Sequence, residues 1–131
     1  MKKILYYIVF TLWYIISLLP LRVLYVLSDV LYLVLYRIVG YRRRTVWTNI
    51  VTAFPEMTAE EHHDVERGFY HFFCDYMVES IKLLTMSEAE MKHRLVFKSA
   101  ERINEVVESG QSCAVYLGHY CNWEWITSLP L

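Results

Sequence analysis

A chain of 131 residues is enough for one ordinary domain, and this one is 56% hydrophobic and 16% aromatic. Such a composition is unusual for a freely soluble domain and points to a membrane or lipid-facing surface. The net charge of −1 conceals +6 up to Pro55 and −7 from Glu56 onward, the pattern of a basic anchor joined to an acidic, water-facing part.

From Ile4 to Leu21 no side chain is charged, and about 18 residues are just enough for a helix to cross a hydrocarbon core. Lys2 and Lys3 precede this run, which places the N-terminus in the cytoplasm by the positive-inside rule. A cleaved signal peptide also starts with positive charge. Against it, there is no small-x-small cleavage site, and the apolar character continues past Pro20. Pro20 breaks or kinks the helix, and a second apolar segment closes at Gly40, a plausible C-cap. Ser28 and Asp29 interrupt that segment, which a lipid-exposed span resists. Residues 1–40 therefore read as a membrane anchor, one span followed by a helix packed at the interface, with a hairpin in the bilayer as the alternative. Residues 41–131 form the part outside the anchor.

Arg42, Arg43 and Arg44 open that part. Their plainest reading is a juxtamembrane cluster meeting anionic lipid headgroups, at about 1 kcal/mol per charge; the sharper one has an arginine holding a substrate phosphate. Thr58 and Glu61 then make a capping box with acidic residues in the first turn. The helix that follows has apolar residues at Val65, Phe69, Phe72, Phe73, Tyr76, Met77, Ile81 and Leu84, the spacing of one buried face. On this reading the three phenylalanines are core, and His62 and His63 lie on a solvated face. Adjacent helical histidines point apart and do not converge on a metal, so no metal site is expected.

Ser87 and Glu90 form a second capping box for a short helix ending near Arg94. "LVF" (Leu95 to Phe97) reads as a short strand, and "SAERINEVVESG" as a helix with Ile103, Val106 and Val107 inward and Gly110 as its stop. "CAVYLG", from Cys113 to Gly118, is a continuous apolar run suited to a buried strand of a parallel sheet. Strand, helix, strand predicts an α/β fold class, with the anchoring helices leading into the first strands of an α/β domain. Cys74, Cys113 and Cys121 contain no C-x-x-C pair and read as reduced cytosolic thiols. No nucleic-acid partner is expected.

His119 follows the last strand, at the end where open α/β sheets hold ligands. Gly118 permits the tight turn, and Asn122 is placed to cap a helix "WEWITSL" ahead of Pro130. His119 and Glu124 form an H-x4-E pair. In a continuous helix five residues turn about 500°, leaving the two side chains about 140° apart. With His119 in the turn and Glu124 in the first helical turn, the ring can fold back on the carboxylate. One nitrogen is then held and the other is free to act as a base. An ordinary surface turn with a histidine near an acid is the alternative.

Four blocks in order, the N-terminal hydrophobic anchor, "GYRRRTVWTNIVTAFPEMTAEE", "RGFYHFFCDYMVES" and "CAVYLGHYCNWEW", resemble the lipid A biosynthesis (lauroyl/myristoyl) acyltransferases of the lysophospholipid acyltransferase superfamily. "GHYCNWE" fits that family's H-x4-(D/E) motif, with Cys121 where many members carry glycine. The resemblance implies an enzyme of the bacterial inner membrane with its catalytic part facing the cytoplasm. It would move a fatty acyl chain from acyl carrier protein or coenzyme A to a hydroxyl of a lipid A precursor. His119 would be the general base and Glu124 its orienting partner, with no metal and no bound cofactor. Asn122 or the backbone near Gly118 would meet the oxyanion, and Trp123 and Trp125 would line an acyl chain. Family members are longer, so an N-terminal piece with an incomplete α/β domain is expected. A glycerophospholipid or aminolipid acyltransferase is the neighbouring reading. A non-catalytic, membrane-anchored helical module is the reading from another class.

Overall fold

The computed structural model describes residues 2–98 and 101–128. These fall into two compact units, residues 1–84 and 85–131. The first is built from α1 (Lys2–Ser17), α2 (Leu21–Tyr32), α3 (Arg43–Ala53) and α4 (Ala59–Lys82). α2 runs without a break into wider π-type turns over Leu33–Val39. Gly40 then ends the helix in the left-handed region at φ 62°, and the Tyr41 amide donates back to the Leu35 carbonyl at 2.9 Å. This is the C-cap expected there, and glycine reaches that φ at no steric cost.

The expected single span is not seen among the described residues. α1 stops at Ser17, and its 16 residues reach about 24 Å, short of a hydrocarbon core of about 30 Å. Among the described residues no single helix is long and apolar enough to cross a membrane. α1 and residues 21–39 qualify only as a pair, bent by 119° at the break before Pro20. The bend is held by α4. The Lys82 ammonium, nearly buried, donates to the carbonyls of Ser17 and Leu19, each at 3.1 Å. A cation on the last carbonyls of a helix opposes the macrodipole and satisfies acceptors that the helix itself cannot.

α4 begins with the expected capping box, its Thr58 hydroxyl accepting from the Glu61 amide and the Glu61 carboxylate from the Thr58 amide. Its buried row, however, is His62, Glu66, Tyr70, Cys74, Val78 and Lys82. Phe69, Phe72, Met77 and Leu84 of the expected apolar face are exposed. A four-residue step advances about 40° around a helix, so this row winds across α4 and meets a different neighbour at each level. Trp47 of α3 lies against His62 and His63. Further along, Tyr36 meets Tyr70, Tyr32 stacks on His71 at 3.6 Å, and Ser28 Oγ and Tyr25 Oη donate to Asp75 and Glu79. At the far end Lys82 holds α1.

The core between α2 and α4 is therefore aromatic and polar, centred on Tyr32, Tyr36, Tyr70 and Cys74. Its main polar groups are paired, as burial demands, whereas Ser80 Oγ on α4 has no partner among the described residues. His62, expected to be solvated, is buried with Nε2 2.8 Å from the Phe54 carbonyl. Glu66, 1% exposed, accepts from Tyr36 Oη at 3.1 Å and from the Arg43 guanidinium at 3.1 and 3.3 Å. Burial alone pushes the Glu66 carboxyl up, but hydrogen bonds from Arg43 and Tyr36 outweigh it and hold the group below the usual carboxylate range. Burial also pushes the Cys74 thiol up.

The second unit contains α5 (Glu88–Arg94), α6 (Glu101–Glu108) and a 3₁₀ turn over Trp123–Ser128. Ser87 caps α5 by accepting from the Glu90 amide, while the Glu90 carboxylate turns to Arg94 at 3.1 Å. α6 stops at Gly110, φ 77°, with the Gln111 amide donating to the Val106 carbonyl. Ile103 and Val106 are half-buried and Val107 is exposed. Ser99 and Ala100, at the expected helix start, and Leu129 and Pro130, at the expected end of the last helix, lie outside the described residues.

The α/β fold class is overturned: among the described residues every regular element is helical and none is a strand. Leu95 to Phe97 and residues 111–120 carry no regular structure, and Tyr116 is 94% exposed. The physical reason is that a strand is completed by its neighbour. Its amides and carbonyls need a second ladder, and an apolar run such as "CAVYLG" supplies a side-chain preference but no partner backbone.

Candidate active site

The H-x4-E block lies within the second unit. His119 sits in a tight turn closed by the Tyr120 amide on the Gly118 carbonyl at 2.9 Å. The chain then reverses at Cys121, which has φ 52°. Glu124 is the second residue of the 3₁₀ turn, whose start is fixed by the Trp123 amide on the Cys121 carbonyl and the Trp125 amide on the Asn122 carbonyl. Thr127 and Ser128 hydroxyls donate to the carbonyls of Glu124 and Trp125, tightening the turn from behind.

The His119 ring is exposed and lies edge-on to the Trp123 indole, centroids 4.9 Å apart. Glu124 is half-buried. Gly118, Asn122 and Trp123 line one cleft of about 220 Å³ together with Leu95, Cys121 and Trp125, whereas His119 and Glu124 are not among its lining residues. The cleft is largely apolar, as an acyl chain requires. Trp125 Nε1 is buried beside it with no acceptor among the described residues. An N–H in that condition is a donor available to an oxygen entering the site.

Two features escaped the sequence reading. The strained position of the turn is Cys121, not Gly118, where an added Cβ would meet nothing within 4 Å. Positive φ costs a non-glycine residue about 1–2 kcal/mol, and nothing in "GHYCNWE" itself marks Cys121 as the residue that takes it. The edge-on pairing of His119 with Trp123 was the other; an i, i+4 spacing across a turn does not reveal it. Cys113 and Cys121 are exposed free thiols and Cys74 a buried one. Among the described residues no three His, Cys, Asp or Glu side chains gather as a metal ligand set.

Comparison with known proteins gives the class. The family model for bacterial lipid A biosynthesis acyltransferases matches residues 1–128, which is nearly the whole chain and includes the H-x4-E block. The chain belongs to that family, whose chemistry is acyl transfer and whose members are associated with bacterial membranes. No curated protein and no solved structure matches the chain.

Proposed function

We propose that the protein transfers a fatty acyl chain from a thioester donor, acyl carrier protein or coenzyme A, to a hydroxyl of a lipid A precursor or related lipid. The reaction takes place at the cytoplasmic face of the inner membrane. The observation that carries the reading is the placement of His119-x4-Glu124 inside the matched residues, on a turn that presents an exposed imidazole beside an apolar cleft.

The roles follow from acid–base chemistry. His119 takes the proton of the acceptor hydroxyl as its oxygen forms a bond to the thioester carbonyl carbon. Glu124 fixes the tautomer and stabilises the imidazolium that results. The tetrahedral oxyanion collapses, the C–S bond breaks, and the imidazolium returns its proton to the departing thiolate. Asn122 and the backbone at Gly118 are assigned as donors to that oxyanion, and Trp123 as packing along the acyl chain.

The test is transfer of label from an acyl thioester to a hydroxylated lipid by membranes containing the protein. Ester formation is expected, and Glu124→Gln should lower kcat by about 10²-fold or more with little change in donor KM. A wild-type rate in Glu124→Gln removes the carboxylate from the mechanism. Absence of ester with every hydroxylated lipid removes the reading.

A further inference from the structure

The three arginines that open the chain after Gly40 are not equivalent. Arg43 is committed to the buried Glu66, and Arg44 lies beside Trp47 and His63. Arg42 forms no ion pair among the described residues. It stands at φ 52°, in the left-handed region, and borders a cavity of about 270 Å³ between α3 and α4.

The lining of that cavity is chemically specific. Thr45 and Asn49 stand one turn apart on one face of α3, Arg42 is the residue just before that helix, and all three line the cavity. They contribute a guanidinium, a hydroxyl and an amide, and the lining contains no carboxylate. The opposite wall is a stack of rings. Tyr41 lies parallel to Phe73 with centroids 6.4 Å apart, and Phe73 parallel to Phe69 at 5.9 Å. The Tyr70 hydroxyl donates to the Tyr41 carbonyl and fixes the loop that holds Arg42. Phe69 is 41% exposed, so the apolar wall opens outward along α4.

We infer that this cavity binds a phosphate ester attached to an apolar body, the phosphate on Arg42, Thr45 and Asn49 and the body on Tyr41, Phe69 and Phe73. Three donor groups match the acceptor oxygens of a phosphate, and a guanidinium makes the strongest of such bonds. A parallel aromatic wall next to a cation favours a ligand that is anionic at one end only. The inference stands independently of the acyl-transfer reading, because every residue it uses lies between Tyr41 and Phe73.

The test titrates the detergent-solubilised full chain with dihexanoyl phosphatidic acid, dihexanoylglycerol or inorganic phosphate, following the amide resonances of Thr45 and Asn49. Phosphatidic acid should bind saturably, and dihexanoylglycerol at least about tenfold more weakly. Arg42→Gln and, as a second variant, Asn49→Leu should each weaken phosphatidic acid binding by about fivefold or more, with Arg44→Gln within about twofold of wild type. Inorganic phosphate binding as tightly as phosphatidic acid, with the same Arg42 dependence, overturns the apolar body and leaves a site for a soluble phosphate. Weaker inorganic phosphate assigns it to a lipid headgroup. Equal affinity for dihexanoylglycerol, unchanged affinity in Arg42→Gln, or an equal loss in Arg44→Gln overturns the inference.

Discussion

Among the described residues Glu66 is the one buried carboxylate. Its carboxylate is almost inaccessible and is held by a guanidinium and a phenol. Removing one partner of such a group leaves an unsatisfied buried charge, a cost larger than the net worth of the pair. Arg43 is 45% exposed along its side chain, so solvent screens part of the pairing. Arg43→Ala is therefore expected to destabilise by about 2 kcal/mol, read from thermal unfolding; a change near zero would mean that Glu66 is solvated. The same carboxyl sets an acid limit. Its folded pKa lies below the unfolded one, so its contribution is complete above about pH 4.3 and fades as the pH falls through the folded value. Glu61 and Glu88 are also held low, so the informative quantity is a difference. Glu66→Gln should be less stable than wild type at neutral pH and converge on it in acid, and a constant gap would contradict the assignment. None of this was legible in "VERGFYHFF". A glutamate next to an arginine on a charged helix reads as solvent-facing, and Arg43 and Tyr36, distant in the chain, make its burial tolerable.

At the scale of the element, α1 and α4 show which signals travel from sequence to structure. Local chemistry transferred well: the Thr58 box, the Gly40 and Gly110 stops and the Pro20 break all stand where the residue types put them. The facing of α4 did not, because apolar residues occupy more of its circumference than any one neighbour covers. Much of its polar row is buried by partners distant in the chain, such as Tyr36 on Glu66, 30 residues away, and Ser17 on Lys82, 65 away. The length of α1 was misread for a related reason. An uncharged run measures hydropathy, whereas the helix ends where the backbone turns, at Ser17. Lys82 is the long-range partner that holds this end. Lys82→Met should raise hydrogen exchange at the amides of residues 14–19, equivalent to about 1–2 kcal/mol of lost protection. Unchanged exchange there would show that the bend needs no cation.

For the molecule as a whole, burial is unevenly shared. In the second unit only Met91 and Ser128 among the described residues are buried, while the aromatic core lies entirely in the first. Residues 111–120 are all exposed and without regular structure. Limited proteolysis of the detergent-solubilised chain is expected to cut first within them and to leave residues 2–84 protected; an early cut inside α4 would contradict this distribution. The strand expected at "CAVYLG" belongs to the same pattern, since its apolar run has no neighbouring ladder among the described residues. The candidate site was legible in part. A turn at His119 and a helical start near Glu124 were expected and stand there, but the left-handed Cys121 and the indole against His119 were not legible. The central claim is that His119 is the base of an acyl transfer, and one measurement addresses it directly: transfer of labelled acyl chain from its thioester to lipid by the His119→Ala protein in membranes. The rate should fall by about 10²–10⁴-fold with membrane fractionation unchanged, and transfer at the wild-type rate would contradict the account.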